Sequence, residues 1–175
     1  RELQVLARAS RGATRQLRAA VNPEMLRRPP ERRVVIEQPR VRVFEGFATE
    51  AECDWLIERC RDRLQPAQVY SIVLDRIARA SGVPVTHFEI AKLLNYKPGQ
   101  TFARHSDFLE PGLQENIDAF GQRVATFLVY LNDDYDGGET EFTEANFKFK
   151  ARKGDALMFL NVDAKVATQF TDSTS

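Results

Sequence analysis

The most informative part of the sequence for the architecture is GQRVATFLVYLNDDYDGGETEF, residues 121–142. Arg123 to Asn132 is apolar on both faces, which predicts a buried strand. The paired glycines at positions 137 and 138 predict a turn, and Glu139 to Phe142 predicts a second short strand. Three more strands separated by turn residues are predicted downstream, at Phe147 to Lys150, Ala156 to Leu160 and Val166 to Phe170. This succession predicts that the C-terminal part is a barrel or a double-sheet jelly roll.

The half of the chain before this stretch is more helical in its pattern. Thr49 and Glu52 form a capping box, which predicts a helix start, and a second helix is predicted over Val73 to Ala80 because Gly82 follows it. Short strands are predicted at 34–36, 41–44, 88–93 and 101–107. We therefore expect an α+β fold, with N-terminal helices packed on one sheet of the barrel.

Composition places the chain among ordinary globular proteins. It has 175 residues, 43% hydrophobic and 29% charged, with a formal net charge of zero, and no apolar run reaches the roughly 18 residues of a membrane span. Residues 1–43 nevertheless contain 11 Arg and 4 Glu, so a basic arm precedes an acidic body. We expect a basic N-terminal helix and linker over residues 1–33, which is either a solvated amphipathic helix or a contact for an acidic partner or nucleic acid.

The two cysteines indicate a reducing compartment. Cys53 and Cys60 are seven positions apart in a predicted helix, so their Cα atoms lie about 10 Å apart along the axis. A disulfide requires less than about 7 Å. We expect both to be reduced core residues, which predicts a cytoplasmic protein.

A candidate metal-binding pair stands at His105 and Asp107. Residues at positions i and i+2 of a strand point to the same side, so this imidazole and this carboxylate could bind one ion together. Non-haem Fe(II) oxygenases use two histidines and one carboxylate and leave the other face of the metal open. An isolated His-x-Asp is more often a hydrogen-bonded surface pair, so the spacing alone leaves both interpretations open.

Five motifs stand in a characteristic order: LNYKPGQ at 94–100, HSDF at 105–108, RVATFLVYLND at 123–133, GGETEF at 137–142 and GDALMF at 154–159. With this order and these gaps, residues 34–175 resemble the catalytic domain of prolyl 4-hydroxylase-like dioxygenases, which depend on 2-oxoglutarate and Fe(II). The resemblance implies a dioxygenase domain over 34–175 with a double-stranded β-helix, a cupin-like jelly roll whose open mouth holds the iron.

The resemblance also implies the activity and the residues that serve it. A side chain is hydroxylated, with peptidyl proline in a protein or peptide as the expected substrate, while 2-oxoglutarate is decarboxylated to succinate. The implied cofactors are Fe(II), 2-oxoglutarate and O2, with ascorbate as a further candidate, and neither a membrane nor a nucleic acid is an expected partner. His105 and Asp107 match the catalytic iron ligands, Tyr96 and Thr140 match residues at the co-substrate, and Arg123 matches a position toward the peptide substrate.

The chain departs from this family at the third iron ligand. The family has a distal histidine after the GDALMF motif, but no histidine follows His105 here, and His87 matches no ligand position. Either the chain is a degenerate member, or the sequence omits a segment between residues 164 and 165. We favour the omission, because losing a core strand while keeping the next would leave an open barrel edge. A similar break is expected between 71 and 72, and Lys165 is then the candidate partner for the far carboxylate of 2-oxoglutarate.

Two alternatives to the peptidyl hydroxylase remain at this point. One is a non-catalytic jelly-roll binding module that lacks the third iron ligand. The other is a nucleic-acid dioxygenase, for which the basic arm is the support and the lack of an aromatic and basic cluster in the barrel half is the objection.

Overall fold

The computed structural model describes residues 30–38, 40–60, 71–89, 91–92, 94–109, 112 and 121–162. Three predictions lie outside these residues: the basic N-terminal helix, the strand at 166–170 with Lys165, and the break between 164 and 165. Residues 71 and 72 begin a helix, and the segment predicted to be missing between them stays a prediction. Within the described residues no helix is both long and apolar enough to cross a membrane.

A four-stranded antiparallel sheet forms the centre of the fold. Its strands are β1 (Arg32–Ile36), β2 (Val41–Phe44), β3 (Ala125–Val129) and β6 (Ala156–Leu160), in the spatial order β1-β2-β6-β3. The strands β4 (Thr140–Phe142) and β5 (Phe147–Phe149) pair with each other in a second, two-stranded sheet. The described residues also form two α-helices, α1 (Glu50–Cys60) and α2 (Ser71–Ser81). These elements confirm the predicted α+β composition and six of the predicted strands.

The two faces of the central sheet are covered by different layers. On one face Phe44, Ala156 and Met158 are buried with Ala80 of α2, and Phe127 packs against the same cluster. The opposite face buries Val41, Val43 and Leu157, with side chains of β4 and β5 packed against them. A helix therefore covers one side of the sheet, as predicted, and the small sheet covers the other. We call the space between the two sheets the inter-sheet side.

The predicted capping box is present, and a buried ion pair extends it. The backbone N–H of Thr49 donates to Glu52 Oε2 over 2.8 Å, and the backbone N–H of Glu52 donates to Thr49 Oγ1 over 3.2 Å. Arg76 of α2 donates to both carboxylate oxygens of Glu52, at 2.7 and 3.1 Å, and to the carbonyl of Phe47 at 2.9 Å. Both charged side chains are buried, so this cluster joins the two helices.

The strands predicted at 88–93 and 101–107 are wrong for the described residues of those stretches. A 3₁₀ turn covers Val85–His87, and the described residues that follow form no strand until β3. A strand needs a neighbour to satisfy its backbone N–H and C=O groups, and none of the described strands pairs with either stretch. Local contacts replace the ladder, as where Gln100 Oε1 accepts from the backbone N–H of Lys97 at 2.8 Å.

Candidate metal centre

His105 and Asp107 come together although the segment that carries them is not a strand. His105 Nε2 lies 3.1 Å from Asp107 Oδ1. A bend at residues 107–108 accompanies this approach. The His105 side chain is 47% exposed and that of Asp107 is 23% exposed, so one side of the pair is open to solvent.

The hydrogen bonds of His105 fix which ring nitrogen carries a proton. Its Nδ1 lies 2.8 Å from the carbonyl oxygen of Ala103, and because a carbonyl can only accept, Nδ1 must donate. In the neutral imidazole Nε2 then presents a lone pair to the Asp107 carboxylate. Two lone pairs facing each other repel unless a cation, either a proton or a metal ion, lies between them. Donation of the second ring N–H to a backbone carbonyl is typical of histidines that bind metals.

The Asp107 carboxylate is held from its other oxygen. Thr126 Oγ1 donates to Asp107 Oδ2 over 2.6 Å, and Asn161 Nδ2 donates to Thr126 Oγ1 over 3.0 Å. Thr126 lies on β3 and Asn161 directly follows β6, the strand paired with β3. Two adjacent strands of the central sheet therefore anchor Asp107, while Oδ1 stays turned toward His105.

This arrangement fits a divalent metal ion. Two ligands at right angles, each about 2.1 Å from one ion, lie about 3.0 Å apart, which is close to the 3.1 Å between Nε2 and Oδ1. A neutral imidazole and a carboxylate are ligands suited to Fe(II). Among the described residues no group of three or more His, Cys, Asp and Glu side chains could hold a metal. Both histidines of the sequence are described residues, so the predicted distal histidine would come from the segment that the sequence is predicted to omit between residues 164 and 165.

A second polar contact of the inter-sheet side joins Thr140 to Tyr130. The Tyr130 hydroxyl lies 2.6 Å from Thr140 Oγ1, and the Tyr130 ring packs on Phe149. Burial raises the pKa of Tyr130 to about 12, so the phenol stays protonated and can donate. Tyr130 was not predicted as a site residue because it stands in an apolar run of the sequence. Tyr130 directly follows β3, and its spacing of four from Thr126 places the two side chains on the same side of the extended backbone.

The predicted co-substrate residue Tyr96 lies at the open side of the pair. Its ring meets the Phe102 ring edge-on with centroids 6.4 Å apart, and the Phe102 ring lies 4.3 Å from the His105 imidazole. Tyr96 is 49% and Phe102 is 62% exposed. The described ring contacts of Tyr96 thus link it to His105 through Phe102. Thr140, the other predicted co-substrate residue, is instead in contact with Tyr130.

Arg123 lies near the pair but is held by an acidic partner. Its Nε donates to Glu89 Oε1 over 2.6 Å, and a second guanidinium nitrogen donates to Glu89 Oε2 over 3.1 Å. The hydrogen bond to Glu89 is the main cause that raises the pKa of Arg123, and the charge of Asp107 raises it further.

The two remaining residues of the sequence analysis do not join the pair in the described structure. His87 is exposed, and one of its ring nitrogens, Nδ1, lies 3.1 Å from Thr86 Oγ1. Lys165 lies outside the described residues.

Comparisons with known proteins agree on one superfamily. The family model of the 2OG-Fe(II) oxygenase superfamily matches residues 91–168. Probable prolyl 4-hydroxylase 9 of Arabidopsis thaliana is 30% identical over an alignment of 171 positions. The alignment covers 71% of this chain and 59% of the relative. A putative prolyl 4-hydroxylase of Acanthamoeba polyphaga mimivirus is 36% identical over 90 residues, with coverage of 50% and 37%.

A solved structure matches the fold as well. The viral collagen prolyl hydroxylase of Paramecium Bursaria Chlorella virus-1 superposes with a TM-score of 0.55 at 26% identity, and the match covers 74% of this chain and 76% of that one. The chain spans less than two thirds of the length of the curated relatives named above. The Arabidopsis alignment is 171 positions long but includes only 71% of the 175 residues, so a number of its positions have no counterpart here.

Proposed function

Because this chain belongs to the 2OG-Fe(II) oxygenase superfamily, we propose that it hydroxylates prolyl residues of a protein or peptide. The relatives named prolyl 4-hydroxylases support this substrate class. The proposal includes a complete double-stranded β-helix, of which the four-stranded and two-stranded antiparallel sheets are the described part. Fe(II), 2-oxoglutarate and O2 are the expected cofactors, and ascorbate is the expected reductant.

The observation that carries the proposal is the 3.1 Å approach of His105 Nε2 to Asp107 Oδ1 on an open face. These two atoms would hold the iron. With iron and 2-oxoglutarate bound, O2 is consumed, one oxygen atom enters succinate as CO2 leaves, and the other converts a substrate C–H into C–OH. The chain supplies the binding, the orientation and the exclusion of water, since the oxidising chemistry belongs to the cofactors.

We assign the co-substrate to the inter-sheet side. A dicarboxylate buried there needs hydrogen-bond donors, because an unpaired buried carboxylate is costly. The hydroxyls of Tyr130 and Thr140 lie there 2.6 Å apart. One of them donates to the other, which leaves one hydroxyl hydrogen of the pair for the dicarboxylate. Tyr96 at the open side and Lys165 complete the proposed set, with Lys165 as the cation for the far carboxylate.

We assign the peptide to the exposed side, where Arg123 lies. The Glu89 carboxylate holds its guanidinium by two hydrogen bonds, so the orientation is set before the peptide arrives. The remaining N–H groups of the guanidinium could donate to peptide carbonyl oxygens.

The first test is a turnover assay on the full-length protein. With Fe(II), 2-oxoglutarate and a panel of proline-containing peptides, we expect succinate to form and one peptide to gain the mass of an oxygen atom. His105→Ala and Asp107→Ala should each abolish both products, whereas Thr143→Val, which changes an exposed side chain outside the site, should abolish neither. Full turnover in either His105→Ala or Asp107→Ala would refute the proposal. Binding of 2-oxoglutarate without turnover would favour a non-catalytic module.

A further inference from the structure

The Asp107 carboxylate has two oxygens, and the structure treats them differently. Oδ2 accepts the 2.6 Å bond from Thr126, and Oδ1 faces His105 Nε2. An aspartate carboxylate turns readily about its last torsion, so an oxygen reserved for a metal must be held in place by something else. A short bond to an ionised acceptor is among the stronger hydrogen bonds in proteins.

We infer that Thr126 and Asn161 are positioning residues that hold Asp107 so that only Oδ1 is presented to the metal. The inference rests on the proposed function, because it concerns the ion that His105 and Asp107 would hold. Neither residue would touch that ion. Thr126 acts on Asp107, and Asn161 acts on Thr126.

Thr126 is suited to this task by its place in the fold. It lies inside β3, where its backbone is fixed by pairing with Phe159 of β6. The branched side chain is stiff about its first torsion, so its hydroxyl stays in one position. The side chain is partly buried, which limits the competition from water for the Asp107 oxygen.

Asn161 sets the direction of the Thr126 hydroxyl. A hydroxyl can donate one bond and accept two, and its hydrogen can rotate. Because the Asn161 amide already donates to Thr126 Oγ1 over 3.0 Å, the hydroxyl hydrogen is left free to point at Asp107 Oδ2. Asn161 is itself held, since its backbone N–H donates to the carbonyl of Val124 at 3.0 Å.

The test is binding of Mn²⁺ alone to the full-length protein. The loss of the free-ion signal in electron paramagnetic resonance measures how much Mn²⁺ is bound. We expect Thr126→Val, which keeps the shape and removes the hydroxyl, to weaken binding about 10- to 100-fold. Thr126→Ser should bind within a few-fold of the parent, and the same Thr→Val change at the exposed Thr143 is the matched control. Thermal unfolding checks that each variant is folded.

A second variant keeps the inference testable if Thr126→Val does not fold. Asn161→Ala should weaken Mn²⁺ binding by a smaller factor, and the double variant should bind no more weakly than Thr126→Val, because Asn161 acts only through Thr126. Parent-like binding in Thr126→Val or, where that variant does not fold, in Asn161→Ala would overturn the inference. Failure of the parent itself to bind Mn²⁺ would instead count against the proposed function.

Discussion

Cys53 shows how far burial changes the chemistry of a single side chain. Its exposed fraction is 0%, and burial raises the pKa of its thiol from 9.0 to about 11. Between these values the folded protein keeps a proton that the unfolded chain has lost, so the free energy of unfolding falls as the pH rises. The effect reaches about 1 kcal/mol by pH 10.

Cys53→Ala should therefore lose less stability than the parent between pH 8 and pH 10. Denaturant unfolding at several pH values measures this, with the free energy of unfolding of each protein referred to its own value at pH 8. Tyr130 remains in both proteins, so its contribution cancels in the difference. Equal losses of stability in the two proteins would show that the thiol is not perturbed in the way burial requires.

At the scale of single residues, the sequence predicted that His105 and Asp107 come together, but it predicted the wrong local structure for the segment that carries them. His105 and Asp107 were predicted to converge through strand alternation, whereas their segment is irregular and a bend accompanies their approach. Thr126, Tyr130 and Asn161 were missed because strand patterns show which residues face inward but not which of them touch. Those contacts depend on the register between β3 and β6, which the sequence alone does not fix.

At the scale of elements, the link between α1 and α2 is an ion pair inside the protein. Arg76 is 1% exposed and Glu52 is 0% exposed. Removing one partner of a buried pair leaves an uncompensated charge and costs about 3–5 kcal/mol. We therefore expect Arg76→Met to lower the free energy of unfolding by that amount.

The double variant Glu52→Gln with Arg76→Met should recover part of this loss, because the amide oxygen can still accept from the N–H of Thr49 while no charge remains buried. Lys148→Met is the matched control. It breaks an exposed pair with Glu141, which is expected to cost less than about 1 kcal/mol. Urea unfolding measures all three variants, and similar losses in Arg76→Met and Lys148→Met would contradict this account of the helix link.

Elements with a complete local signal were predictable from the sequence, and elements that need a distant partner were not. The capping box at Thr49 and the apolar run in β3 each carry their own signal, and both are confirmed. The stretch at 101–107 has strand-like alternation but no described neighbour to pair with. Arg76 had no local signal either, because its partner lies 24 positions earlier.

At the scale of the whole molecule, one face of the central sheet is covered by a helix and the other face carries the candidate site. Helix α2 and the aromatic cluster around Phe127 cover one face, while Thr126, Tyr130 and Thr140 make their polar contacts on the other. The sequence predicted two layers of strands with helices outside. It could not predict which strands are neighbours, since β2 pairs with β6 across more than a hundred residues.

The most direct test is an anomalous difference map from crystals of the full-length protein grown with Mn²⁺ and 2-oxoglutarate. We predict one strong manganese peak within about 2.3 Å of both His105 Nε2 and Asp107 Oδ1, with a further ligand from outside the described residues. Manganese bound elsewhere, with no peak within bonding distance of either atom, would contradict the account.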